Sequence, residues 1–139
     1  MNVLFDTNVV LDVLLEREPH AGAASKLFAL VDNGRVHGSI CATTVTTIYY
    51  IAAKSFGTRK AREQVHALLG LFDIAAVDKG VLDAALDLDF TDYEDAVLHE
   101  SARAVGVAAI VTRDRAGFAR AAIPAIGPHE LLAAIATSR

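Results

Sequence analysis

Cysteine is nearly absent: Cys41 is the single one in 139 residues. One thiol cannot close an internal disulfide, so covalent staples are excluded and a reducing cytosol is the expected setting. Long hydrophobic runs are missing too. No stretch without a polar side chain is longer than that from Ala104 to Val111, far short of the roughly 20 residues that a membrane-spanning helix needs. The start, MNVLFD, lacks the basic residues and unbroken apolar segment of an export signal and places acids at Asp6 and Asp12, so export is not expected. Positive charge is in deficit, with 13 Lys and Arg against 17 Asp and Glu and a net charge of −4. That excludes a simple basic coat for nucleic acid, which needs a large positive field, but not an enzyme that meets phosphates through bound cations. The five histidines, at 20, 37, 66, 99 and 129, show no paired spacing of the kind zinc sites use. Repeats, linkers and low-complexity tracts are absent as well.

What is present is apolar. Hydrophobic residues make up 53% of the chain and the mean hydropathy is +0.37. Disorder is therefore excluded, and one domain spanning 1–139 is expected, large enough to bury about 68% of its unfolded surface. The apolar surplus also predicts a face covered by a partner. Periodicity predicts short strands at 2–6, 36–42, 74–77, 107–112 and 124–127. It predicts helices after the first strand and over 19–33, 59–72, 79–88, 92–105 and 129–136. Between 44 and 52, Thr44 suits a helix cap, with Val45, Ile48, Tyr49 and Ala52 on one face. The β-branched and aromatic run TTVTTIYYI could equally extend a strand. Alternating short apolar strands and helices give an α/β fold, a three-layer α/β/α sandwich around a parallel sheet of four to five strands. Ligands in such sheets sit at the carboxyl ends of strands, where the strand order reverses.

Acids fall at those ends. Asp6 closes the first strand, Asp114 lies just beyond the strand 107–112, and Asp92 and Asp95 open the helix before it. Each has an ordinary role available: Asp6 and Asp92 as helix caps, Asp95 near a helix dipole, Asp114 in a turn. Brought together they repel, by about 4 kcal/mol for a pair about 4 Å apart at an effective dielectric near 20. A cluster of them needs a cation or must take up protons. Hard oxygen ligands with few histidines suit Mg²⁺ or Mn²⁺.

The pattern resembles the PIN-domain family, and within it the single-domain toxins of the VapC type. The residues involved are FDTNVVLDVLL at 5–15, DYEDAV at 92–97 followed by Gly106, and IVTRDRAGF at 110–118. The resemblance implies a helix-sandwiched parallel sheet and a metal-dependent ribonuclease that hydrolyses RNA phosphodiesters, leaving a 5′-phosphate and a 3′-hydroxyl. It implies Asp6, Asp95 and Asp114 as metal-binding acids, with Asn8 and Thr112 orienting them. It further implies a small antitoxin partner and a homodimer. One position departs from the family pattern: the glutamate expected three residues beyond Thr44 is Thr47. A hydroxyl there can bond a water but brings no charge. Asp92 is expected to supply the missing carboxylate. The alternative is a weakened or inactive PIN-like module that binds RNA or protein.

Arg113 and Arg115 adjoin Asp114, and Lys54 belongs to the basic cluster with Arg59, Lys60 and Arg62. Arg113, Arg115 and Lys54 are candidate RNA contacts, although the 54–62 cluster also reads as a solvated helix face. Tyr49 and Cys41 read as core. Of the histidines, His99, four residues after Asp95, is the one nearest the acids. Phosphotransfer folds are excluded, because haloacid-dehalogenase-like phosphatases need an acid where Asn8 stands.

Overall fold

The computed structural model describes residues 1–138. Its sheet has five parallel strands in the order β3-β2-β1-β4-β5: β1 (Asn2–Phe5), β2 (His37–Cys41), β3 (Asp73–Ala75), β4 (Ala109–Val111) and β5 (Ala125–Ile126). The helices are α1 (Thr7–Leu14), α2 (Ala21–Asp32), α3 (Ala42–Phe56), α4 (Thr58–Leu71), α5 (Lys79–Leu86), α6 (Tyr93–Val105) and α7 (Pro128–Thr137). No helix among the described residues is long and apolar enough to cross a membrane.

Alternation along β1 builds the layers. Val3 and Phe5 point to one face and join Val9, Leu27, Ile48, Leu68 and Leu131 from the helices there. Leu4 points to the other and meets Leu98, Ala102 and Phe118. Both sides of β1 are fully buried, as a central parallel strand requires. On the first face Phe5, Phe28 and Phe72 pack ring against ring, with centroids 5.0 to 5.8 Å apart. Gly38 on β2 makes room for them: a Cβ there would stand 2.9 Å from the Phe72 ring and 3.0 Å from Val31.

The β-branched stretch after β2 resolves as helix. Thr44, Ile48 and Ala52 recur at the four-residue spacing of one buried face, and packing that face outweighs the strand propensity of Thr and Val. Two expected helix starts shift. Thr44 is not the cap of α3, which already begins at Ala42; it is buried in the first turn, and its hydroxyl pairs with that of Thr7 at 2.8 Å. The second helix begins at Ala21 rather than Pro19, because residues 17–20 form a turn closed on the Arg17 carbonyl. Gly57, at φ 88°, turns the chain from α3 into α4.

Strand order reverses beside β1: the chain first moves to β2 and β3, then crosses to β4 and β5. The carboxyl ends of β1 and β4 are neighbours there, and the Asp6 amide donates to the Val111 carbonyl at 2.9 Å.

Candidate active site

Asp6 follows β1 directly and caps α1, with Oδ1 accepting from the Thr7 amide at 2.8 Å. Its other oxygen accepts from the Thr112 hydroxyl at 2.7 Å. Thr112 in turn accepts from the Asp114 amide at 3.0 Å, so one hydroxyl ties the two strand ends together. Asn8 sits between them, its amide nitrogen 3.4 Å from both Asp6 Oδ2 and Thr112 Oγ1. Asp114 closes a short turn by accepting from the Gly117 amide at 3.1 Å. Asp92 caps α6 by accepting from the Asp95 amide at 3.1 Å. It stands just ahead of the helix, which begins at Tyr93. The ordinary roles of Asp6, Asp92 and Asp114 are therefore all taken, and the same roles aim the carboxyl groups at a common mouth.

Their mutual influence shows the convergence. Burial raises the Asp95 carboxyl most, and the charges of Asp6, Asp92, Asp114 and Glu94 add to it, pushing it up to about 7. Burial also raises Asp6, the bonds from Thr112 and Thr7 oppose this, and Asp114 and Asp92 raise it further. Gly117 marks the shared space: a Cβ there would fall 2.7 Å from Asp114 Oδ2 and 2.9 Å from Asp95 Oδ2. Among the described residues no group of three or more His, Cys, Asp or Glu side chains is placed so that it could hold a metal ion as it stands. The donor set is all oxygen, and it fits a hard divalent cation such as Mg²⁺ or Mn²⁺.

The other expected residues divide. Thr47 is half-buried one turn beyond Thr44 and makes no hydrogen bond to these carboxylates among the described residues. Lys54 lies in the last turn of α3, roughly 18 Å along the helix from Ala42 at 1.5 Å per residue, with its ammonium over the Tyr50 ring. It is not brought to the mouth. Arg113 and Arg115 are at the mouth, but both have carboxylate partners, Asp12 and Glu130. His99 is structural: its Nε2 accepts from the Ala122 amide at 3.0 Å, which fixes the proton on Nδ1, donated to Glu100 at 2.9 Å. Cys41 is fully buried, as read, whereas Tyr49 is half-buried in a groove with Val65 and Leu69. Asp12, Arg17 and Gly117 were not legible as site residues. The one signal was an acid interrupting the apolar helix VVLDVLL, where a buried carboxylate demands partners.

Known proteins share this fold. VapBC2 of Rickettsia felis, bound to a DNA fragment from its promoter, superposes with a TM-score of 0.70 at 15% identity, covering 91% of this chain and 98% of that one. A toxin–antitoxin complex from Klebsiella pneumoniae gives 0.68 at 20% identity, covering 92% and 98%. The sarcin–ricin-loop-cleaving toxin VapC20 of Mycobacterium tuberculosis gives 0.63 at 14% identity, covering 78% and 86%. No curated protein matches the chain by sequence. The sequence profile of the PIN domain matches residues 2–116, and with that match the chain belongs to the PIN-domain family.

Proposed function

We propose that this PIN domain is a divalent-metal-dependent ribonuclease, the toxin of a toxin–antitoxin pair acting in the cytoplasm. The observation behind this reading is the convergence of Asp6, Asp92, Asp95 and Asp114, from three separate segments, on one mouth at the strand-order reversal. Asp6, Asp95 and Asp114 hold the cation, and Asp92 provides the carboxylate that Thr47 does not. A bound Mg²⁺ or Mn²⁺ supplies activation of water and neutralisation of phosphate charge. The protein's own work is orientation. Thr112 fixes Asp6 and the Asp114 backbone together, Asn8 braces Asp6 and Thr112, and the Asp92 cap sets the first turn that presents Asp95.

VapC20, by its name, cleaves an RNA loop, and other structural neighbours are toxin–antitoxin complexes. These similarities support an RNA substrate and a small antitoxin partner. Exposed Tyr50, Phe56 and Leu69 on the α3–α4 hairpin supply apolar surface for that antitoxin or for a second copy in a homodimer. The test is an RNA digest with purified protein in Mn²⁺ or Mg²⁺. Cleavage to 5′-phosphate ends, abolished by EDTA and by Asp6→Ala, is expected. Intact RNA under all conditions favours the non-catalytic module, for which Thr47 is the argument.

A further inference from the structure

A second buried carboxylate lies beside this cluster. Asp12 on α1 is wholly inaccessible to solvent, and a charge so placed is tolerable only when paired. It has two partners. Arg17 Nε donates to Oδ1 at 2.9 Å, and Arg113 forks across both oxygens, Nε to Oδ2 at 2.6 Å and Nη2 to Oδ1 at 3.1 Å. Within this triad one negative charge answers two positive ones. The Arg113 side chain keeps 30% of its surface exposed. It lines a cleft of about 290 Å³ next to the carboxylates, with Thr112, Arg115, Ala23 and Pro128 among the other walls. Thr112 belongs to both places, since its hydroxyl holds Asp6. Arg115 is neutralised by Glu130 at 2.8 Å, so of the two arginines that line the cleft Arg113 is the one whose carboxylate is shared, with Arg17. Its fork on Asp12 fixes the plane in which its charge is presented.

We propose that this cleft is a phosphate subsite for the RNA strand. In it Arg113 contacts a phosphate flanking the one to be cut, and Asp12 is the positioning residue that sets Arg113 there. Ala23 and Pro128 form an apolar wall on which the adjoining sugar or base rests. The proposal rests on the ribonuclease reading, so binding is best measured without cleavage. The probe is a fluorescein-labelled single-stranded RNA of mixed sequence, about 12 nucleotides long, followed by anisotropy in EDTA across a salt series.

Arg113→Gln is expected to weaken binding about tenfold and to flatten the slope of log affinity against log salt by about 0.7, one phosphate contact on a single strand. Arg113→Lys keeps the charge but not the fork; it is expected to keep the slope and lose several-fold in affinity. Asp12→Asn is expected to weaken binding as Arg113→Gln does, with no further loss in the double variant. Arg35→Gln, the same charge removed at the opposite end of the sheet, is the control for net charge. Unchanged affinity and slope in Arg113→Gln, or an equal loss in Arg35→Gln, overturns the subsite. Wild-type affinity in Arg113→Lys overturns the positioning role, and this arm stands even if Asp12→Asn fails to fold. A working nuclease whose RNA affinity ignores Arg113 sinks the subsite alone. RNA held through Arg113 but never cut sinks the ribonuclease reading alone.

Discussion

Asp95 and Asp6 are held in a state the unfolded chain does not share. The Asp95 carboxyl is raised from an ordinary 3.8 to about 7 by burial and by its acidic neighbours, and Asp6 is raised too. Between those values the folded protein keeps a proton that the unfolded chain has released. Stability of the metal-free protein should therefore fall as pH rises from about 4 to about 7. Thermal denaturation in EDTA checks this. The melting temperature is expected to drop over that range, and Asp95→Asn is expected to flatten the dependence while abolishing cleavage. Gly117 offers a separate test, because its missing side chain leaves the space between Asp114 and Asp95 open. Gly117→Ala should fold, since no left-handed backbone is required there, yet lose Mn²⁺ affinity by tenfold or more, on the order of 1.4 kcal/mol. Calorimetric titration with Mn²⁺ measures it. The acids were legible in the sequence because each one ends a strand or opens a helix or turn, positions where local rules put Asp anyway. The second arginine partner of Asp12 was not, since Arg113 lies 101 residues away and only the sheet order brings it near.

Among the elements, the strands and helices follow their sequence patterns, and the exceptions have physical causes. TTVTTIYYI has strand-like side chains at helix-like spacing, and burial of Thr44, Ile48 and Ala52 decides for helix. Thr44 reads as a cap because threonine caps helices, but its hydroxyl is spent on Thr7, joining α3 to α1. Thr44→Val should then cost about 1 kcal/mol or somewhat more, leaving the Thr7 hydroxyl unpaired. The aromatic trio gives a larger effect. Gly38→Ala forces a methyl against Phe72 and Val31, and urea unfolding should show a loss of about 1–3 kcal/mol from overpacking. Gly38 packs against Phe72 and Val31 rather than the acids, so metal affinity should survive Gly38→Ala.

On the scale of the whole molecule, function follows from a sheet order that the linear pattern does not state. Short strands and alternating helices announce a parallel α/β sandwich. Only the placement of β1 between β2 and β4 makes Asp6 and Asp114 neighbours across more than a hundred residues. The PIN-domain motifs anticipated that placement through resemblance, whereas composition and periodicity could not. The same order puts the Arg113 cleft beside Thr112, whose hydroxyl holds Asp6, while Lys54 ends up at the far end of α3. The central claim is that this mouth is a seat for one kind of ion. Crystals soaked in Mn²⁺ and measured for anomalous scattering test it most directly. A peak roughly 2 Å from oxygens of Asp95 and Asp114, with Asp6 completing the ligand set, is the expected result. Manganese bound only elsewhere, with the three carboxylates left apart, would contradict it.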